Sequence, residues 1–482
     1  MSSKEIGITV KKNDDFSEWY TQVVLKSELI DYASAKGFIV LRPHGYAIWE
    51  KIKDYIDRRI KETGHRNAYF PALIPESLLK KEGEHFQGFI PEVFWVTQAG
   101  DRKVGDKLAL RPTSETIAYD SYSKWIRSWR DLPLLLNFWN SVMRAEIKST
   151  KPFIRTSEFL WQEGHTAHET REEAEKEVRS ILEMYRQLIE EELAIPVITG
   201  FKSDKEKFVG AVYTTTLEGM MPDGMALQMG TSHNLGQNFS RPFEIRFIGR
   251  EKQEQFVWQA SWGVSWRLIG AVVMVHGDDK GLILPPRVTP IQVVIVPIHY
   301  KTEDVEPVVG KVKNLAGRLK QAGLTVHIDD RDQYTPGWKF HDWELKGIPL
   351  RIEVGPRDVS GGGAMFVRRD TGEKVFIKDG ESVEKASALL EDIQRNLFER
   401  AKEMQKRYTF TAENYEEFKK RIKEEGGFVR TNFCLQRPCE DKIKEETGAD
   451  IRVIPFKDEE IFGRCVYCGE EAKKVVYFAK SY

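Results

Sequence analysis

Three prolines within six residues, Pro285, Pro286 and Pro290, cut this 482-residue chain into stretches of different rhythm. Proline fixes φ and lacks an amide donor, so the segment 281–290 can be neither helix nor inner strand and reads as a stiff linker. A chain this long exceeds one ordinary core, and the break divides it into units of ordinary size. Before the linker, neighbouring strands are interrupted by inserted helices, as in an α+β domain around an antiparallel sheet. After it, strands at 291–297, 324–328 and 349–354 and helices at 304–322 and 381–406 have the rhythm of an α/β domain. From 409 onward the chain is short, rich in Lys and Glu, and holds every cysteine. The boundaries expected are therefore 1–284, 285–408 and 409–482.

Within the first unit, apolar periodicity predicts helices over 16–36, 45–63, 114–129 and 168–193, the third capped by Thr113 or Ser114. A strand is expected to run through Val142-Met143-Arg144-Ala145-Glu146, with Arg144 and Glu146 on one face. Lys plus Arg (73) almost cancels Asp plus Glu (74), so no overall positive field draws this chain to nucleic acid. Any RNA must be held through local patches. No apolar run follows Met1 and none reaches eighteen residues, which argues against secretion and membrane spanning and for a cytoplasmic protein.

Two arginines carry the chemistry. Arg144 is followed by Arg155, Phe159, Trp161, Glu163 and His165, and about 120 residues later Arg267 closes Gly263-Val264-Ser265-Trp266-Arg267. A guanidinium is always charged and presents a planar fork of donors, so it clamps phosphate without needing a proton balance. Arg-x-Glu alone is as readily a cross-strand ion pair. Two such motifs in this order point to a nucleotidyl-transfer enzyme holding ATP from both sides. The loop Ile147-Lys148-Ser149-Thr150-Lys151-Pro152 is polar and basic, as a lid over phosphates should be.

The cysteines read Cys434-x4-Cys439, a gap of 25 residues, then Cys465-x2-Cys468. Two thiolate pairs on two knuckles suit a closed tetrahedral Zn²⁺ site. A redox Cys-x2-Cys or four free thiols are the rival readings, and the gathering of all four in one short window favours zinc.

The run Pro152-Phe153-Ile154-Arg155-Thr156-Ser157-Glu158-Phe159-Leu160-Trp161-Gln162-Glu163-Gly164-His165 resembles motif 2 of the class II aminoacyl-tRNA synthetases, in the form found in prolyl-tRNA synthetases. Leu110 to Tyr119 resembles that family's proline-binding loop, Ser261 to Gly270 its motif 3, and Leu41 to Glu50 its motif 1, whose proline, here Pro43, sits at a dimer interface. The resemblance runs from about residue 15 to the C-terminus.

It implies an antiparallel class II catalytic domain, an α/β anticodon-binding domain and a small α+β zinc-binding domain. ATP would be held by Arg144, Arg155 and Arg267, with Gln228, Thr231 and Ser265 nearby and Mg²⁺ bridging the phosphates; read from the residues themselves, Glu146 either contacts the adenine side or orients Arg144, and Phe159 either stacks on the adenine or is an ordinary core ring. Arg144 and Arg267 would stabilise the reacting phosphate. L-proline would give its ammonium to Thr113 and Glu115 and its carboxylate to Arg144, in a pocket shaped by Phe89, Trp161, Glu163, Phe208 and His233. Structural Zn²⁺ would sit on Cys434, Cys439, Cys465 and Cys468, and Tyr482 would reach toward the active site.

The partners implied are tRNA(Pro) and a second copy in a homodimer. Trp338 to Arg357 mixes bases with aromatics, a mixture that can stack and read unpaired anticodon bases or merely clothe buried tryptophans. Lys339, Glu344, Arg351 and Glu353 are the base contacts expected. A threonyl enzyme would need a catalytic zinc, and residues 1–433 lack cysteine. A non-catalytic paralogue that senses uncharged tRNA should have lost an ATP-clamping arginine, and all three are present. The span from His165 to Gly263 is too short for an inserted editing domain, so misactivated alanine or cysteine would go uncorrected in cis.

Overall fold

The computed structural model describes residues 7–83, 92–147, 149–299 and 302–482. Its largest element is an eleven-stranded sheet. From one edge the order is Arg66–Ala68, Leu134–Met143, Glu158–His168, Trp258–Ser265, Ala226–Gly236, Tyr213–Met220 and Ile198–Phe201, and it continues through Asp450–Pro455, Lys474–Ala479, Phe428–Phe433 and Thr409–Thr411. Only the two edge strands pair in parallel; every inner pairing is antiparallel.

One face of this sheet is covered by helices Phe16–Lys26, Pro43–Glu62, Arg171–Gln187 and Arg267–His276, whose apolar stripes bury Trp19, Ile52, Val178, Tyr185 and Val272 in a common core. Helix Arg171–Gln187 opens on a capping box, Thr170 accepting from the Glu173 amide while Glu173 accepts from the Thr170 amide. Such a cap contributes roughly 1 kcal/mol. The other face is left open over strands 158–168, 226–236 and 258–265, and the cavity described below lies there.

The first helix stops at Lys26, well short of the expected 36. Glu28 adopts a left-handed conformation, φ 62°, which ends the helix, and Ile30–Tyr32 then pairs with Ile39–Leu41 as a hairpin. The helix expected at 45–63 begins two residues earlier, at Pro43, where a missing amide costs nothing. The third runs only Glu115–Trp125. Ser114 precedes it without capping it, because its hydroxyl is given to Glu163 instead. The fourth closes with a wide turn, Leu188–Glu192. Strand Leu134–Met143 ends before Arg144, so Arg144 and Glu146 do not share a strand face; Glu146 lies in an exposed turn.

Beyond the linker, a five-stranded sheet has the order Val326–Ile328, Val293–Pro297, Leu350–Val354, Gly363–Arg368, Lys374–Lys378. Its first three strands are parallel and its last two antiparallel. Helices Thr302–Gln321 and Ser382–Arg407 pack on it through Val308, Leu315, Ala386 and Leu390. Helix Pro336–Leu345, capped by Thr335, lies in the stretch read as a mixture of bases and aromatics.

The C-terminal unit does not stand apart. Ile454 pairs with Phe201 and Pro455 with Gly200, so its strands continue the catalytic sheet.

Candidate active site

Strands 158–168, 226–236 and 258–265 and the loop 111–115 enclose a cavity of about 280 Å³. Twelve of the residues singled out from sequence line it: Thr113, Glu115, Arg144, Phe159, Trp161, Glu163, Phe208, Gln228, Thr231, His233, Ser265 and Arg267. Glu146 and Arg155 are exposed outside its wall. Phe89 and Lys148 lie outside the described residues. Sequence reasoning passed over His165 as a wall residue, along with Glu206, Thr214, Ser261 and Trp262. His165 was already visible as the first histidine after Arg155, two residues beyond Glu163; the others carry no local signal.

The register explains the floor. Gly164 faces Trp262 across the strand pair, and a Cβ there would stand 2.0 Å from the indole ring. Only glycine fits. Arg111 is buried beneath the loop, donating to the carbonyls of Phe70 (2.6 Å) and Ser141 (2.9 Å), and so fixes Thr113, Ser114 and Glu115 in place.

One end of the cavity is acidic and closely organised. Glu163 is fully buried and accepts from Ser114 through both hydroxyl and amide (3.2 Å), and from Asn140 (2.9 Å). Asn140 in turn accepts the Trp161 indole N–H at 2.6 Å, which sets that ring. Thr113 donates to the Glu115 carboxylate. Burial pushes the Glu115 carboxyl above its ordinary range, and the neighbouring Glu163 adds to it against the pull of His165. Burial acts the same way on Glu163, yet the His165 contact outweighs it and holds the carboxyl down. The matching effect on His165 is upward, Glu115 and Glu163 overcoming burial.

His233 is held between Thr214 (2.9 Å) and Thr231 (3.1 Å), against Phe208. Burial, with His165 beside it, takes its pKa down to about 3, so it is a neutral wall at physiological pH.

The other end is cationic. Arg144 lies over Phe159 and Trp161, 5.1 and 5.9 Å from the ring centroids. Arg267 heads the helix Arg267–His276 and donates to the carbonyls of Gln228 (3.3 Å) and Ile154 (3.2 Å). Burial first, then the positive charge of Arg144 and of Arg155, lowers its pKa to about 10. Three guanidinium groups therefore feel one another at this end, as cations awaiting an anion do.

In the C-terminal unit the four cysteine Sγ atoms all lie within 4.8 Å of one another. Cys434, Cys439 and Cys465 are buried, and Cys468 Sγ stands 3.9 Å from Cys434 Sγ. Zn–S bonds of about 2.3 Å in a tetrahedron put sulfurs about 3.8 Å apart, so the donor set fits that ion.

The four residues expected at the anticodon are held in internal contacts. Lys339 is buried and donates to the Asp329 carbonyl at 3.0 Å. Arg351 and Glu353 are buried and bonded to each other (3.0 Å), and Glu344 lies 3.6 Å from Arg351. Beside them Tyr334 and Trp338 stack at 3.8 Å, partly exposed.

Tyr482 stands against the basic loop, outside the cavity wall. Its hydroxyl donates to Asp223 and accepts from Lys151 of the basic loop at 3.3 Å.

An antiparallel sheet carrying an arginine-lined cavity, joined to an α/β unit of mixed sheet, defines a class II aminoacyl-tRNA synthetase. The family model for the tRNA synthetase class II core domain (G, H, P, S and T) matches residues 94–276, and that for the anticodon binding domain matches 292–389. The chain belongs to the prolyl-tRNA synthetase family. The model described as prolyl-tRNA synthetase, C-terminal, matches residues 415–482. The proline–tRNA ligase of Cenarchaeum symbiosum is 58% identical over 99% of this chain and all of its own length. That of Alkaliphilus oremlandii is 53% identical over 97% of this chain and 96% of its own. That of Natranaerobius thermophilus is 50% identical over 98% and 97%. Among the described residues no helix is long and apolar enough to cross a membrane.

Proposed function

We propose that this chain is a proline–tRNA ligase whose cavity binds L-proline and ATP side by side, forms prolyl-adenylate, and passes the prolyl group to the 3′ end of tRNA(Pro). One observation carries the reading: a buried carboxyl held above its ordinary range by burial, Glu115, shares a small cavity with the cationic end of Arg144 and Arg267. An amino acid has the complementary dipole. The secondary ammonium of proline has two N–H donors, which Glu115 and Thr113 can accept, and its carboxylate then points to Arg144. Trp161, Phe208 and neutral His233 give the ring apolar walls.

In the first step a proline carboxylate oxygen attacks the α-phosphorus in line. The new C–O–P bond forms as the bond to the bridging oxygen breaks, and pyrophosphate leaves with that electron pair. The nucleophile is already ionised, so no side chain need take a proton. What the protein supplies is positioning and a preorganised positive field, from Arg144 and Arg267 and from Arg155 at the cavity's edge. Mg²⁺ would enter with the triphosphate and neutralise it; the oxygens of Gln228, Thr231 and Ser265 suit a hard cation that keeps most of its water. Phe159 offers the adenine a stacking face, and Glu146 its exposed edge.

Selectivity rests on size alone. One methylene distinguishes substrates by only about 1–3 kcal/mol in an apolar pocket. Alanine and cysteine are therefore activated too. The residues between His165 and Gly263 supply the helix 171–187 and the strands of the catalytic sheet, which supports a chain without a cis-editing domain.

The same reading divides the chain at 284/285 and 408/409, places zinc on the four cysteines and the protein in the cytoplasm, and makes it a homodimer. Tyr32 (50% exposed), Val40 (50%) and Tyr46 (45%) are large apolar side chains left exposed on the hairpin and helix start around Pro43, which supports a second copy there. The anticodon would meet the middle unit near helix 336–345; Lys339, Glu344, Arg351 and Glu353 contact bases only if their internal pairs open. Charging of tRNA(Pro) with radiolabelled proline tests the whole reading: no ATP-dependent product would reject it.

A further inference from the structure

Glu218 is the most deeply enclosed carboxylate bordering the catalytic and C-terminal units, fully shut from solvent. Two cations converge on it. Lys202 of the catalytic unit donates at 2.7 Å, and Arg452 of the C-terminal unit donates through Nε and Nη2 at 3.0 Å each. Thr216 adds a hydroxyl at 2.9 Å. A single buried pair would satisfy the carboxylate, whereas here two basic side chains face one acid. Desolvating a second cation is costly, so fastening alone is a poor account of it.

The cluster has an address. Glu218 lies directly opposite Gln228 across strands 213–220 and 226–236, at a bulge in that pairing. The Gln228 carbonyl is the one that accepts from Arg267. Arg452 holds the same strand a second way: its Nη1 donates to Ser481 at 3.0 Å, and Ser481 bridges Ala226, two residues before Gln228. Arg452 thus grips both strands around the carbonyl on which Arg267 rests. Thr214, on the same strand face as Thr216 and Glu218, lines the cavity itself.

We propose that Arg452 is a positioning residue for Arg267, acting through Glu218 and the Gln228 carbonyl, so that the C-terminal unit completes the triphosphate end of the cavity. The proposal rests on the reading that Arg267 holds ATP. The fields of Glu218 and Arg452 both reach Arg267, with opposite signs, although burial and Arg144 act on it more strongly. Elsewhere the C-terminal unit is fastened away from Arg267, by Glu440 on Ser203 (2.6 Å) and Asp441 on Lys205 (2.9 Å), in the turn that carries the cavity residue Glu206.

The test is proline-dependent ATP–pyrophosphate exchange on the full chain, with ATP and proline varied separately and thermal melts confirming the fold. Arg452→Met should raise the KM for ATP about tenfold while the KM for proline stays within about twofold, a split that general loosening does not produce. Arg452→Lys, which keeps a charge on Glu218, should recover most of the loss. Ser481→Ala, a mild change that keeps the test open should Arg452→Met fail to fold, should raise the ATP KM about twofold. Asp441→Asn loosens the same unit away from Arg267 and should leave the ATP KM unchanged. Arg267→Ala separates the two ideas. If it leaves ATP use intact, the reading of Arg267 fails. If it impairs ATP use while Arg452→Met and Ser481→Ala do not, or if these raise both KM values alike, or if Asp441→Asn matches them, the positioning role is overturned.

Discussion

Glu163 accepts a hydrogen bond from His165 at 2.9 Å, and both side chains are sealed from solvent. With His165 pushed toward its charged form and Glu163 held ionised, the two cancel. Glu115 is left as the carboxyl without a neighbouring cation of its own, and in the proposed function the proline ammonium is its partner.

Glu115→Gln should therefore weaken proline and spare ATP. A hydrogen bond to a charged group contributes about 1.5–3 kcal/mol, which corresponds to a rise in the KM for proline of roughly 10- to 150-fold. Exchange kinetics with proline varied at saturating ATP read this directly, and an unchanged KM would remove Glu115 from the proline site.

Chelation or Cys465→Ser should abolish binding of one Zn²⁺ per chain. Structural zinc binding is worth on the order of 10 kcal/mol, so the C-terminal unit should melt at lower temperature without it. Because strand Asp450–Pro455 continues the catalytic sheet, proline activation should fall along with it. Metal analysis of the purified chain checks the first part; zinc-free protein with unchanged melting would contradict it.

Stability should fall steeply with acid. His168 and His276 are buried, and burial lowers each from an ordinary 6.5 to about 4. A depressed histidine contributes stability that is complete above pH 6.5 and is lost as pH falls toward 4, because the unfolded chain takes up protons the folded chain refuses. With His233, depressed in the same direction, three such groups give a slope of up to about 4 kcal/mol per pH unit in that window. Urea midpoints at pH 7 and pH 5 measure it, and equal midpoints would count against buried neutral imidazoles.

Alanine and cysteine should support exchange above background, at kcat/KM values about 10- to 200-fold below proline. Background rates with both amino acids would mean the cavity discriminates by more than size.

Much of this site was legible because its chemistry is local. Phe159 through His165 and Ser261 through Ser265 place their side chains by strand alternation, Arg144 and Arg267 follow directly at or near strand ends, and twelve of the expected residues meet at one cavity. Glu146 was misplaced because nothing in Met143-Arg144-Ala145 announces the end of a strand. Glu28 hid the end of the first helix, since a left-handed glutamate carries no turn signal. Strand Tyr213–Met220 was missed altogether: nearly all of it is buried, so it shows no alternation. The continuation of the catalytic sheet through Ile454 and Phe201 joins residues some 250 positions apart, which no local pattern can announce. For the same reason Arg452 could not be connected with Arg267 from sequence.

The convergence of guanidinium groups on one nucleotide is tested most directly by proline-dependent ATP–pyrophosphate exchange in Arg144→Ala and Arg267→Ala. Each should lose about 2–4 kcal/mol of transition-state stabilisation, roughly 30- to 1000-fold in kcat/KM for ATP, with the fold intact by melting. Both variants remaining within about threefold of the unaltered chain would contradict a shared triphosphate clamp.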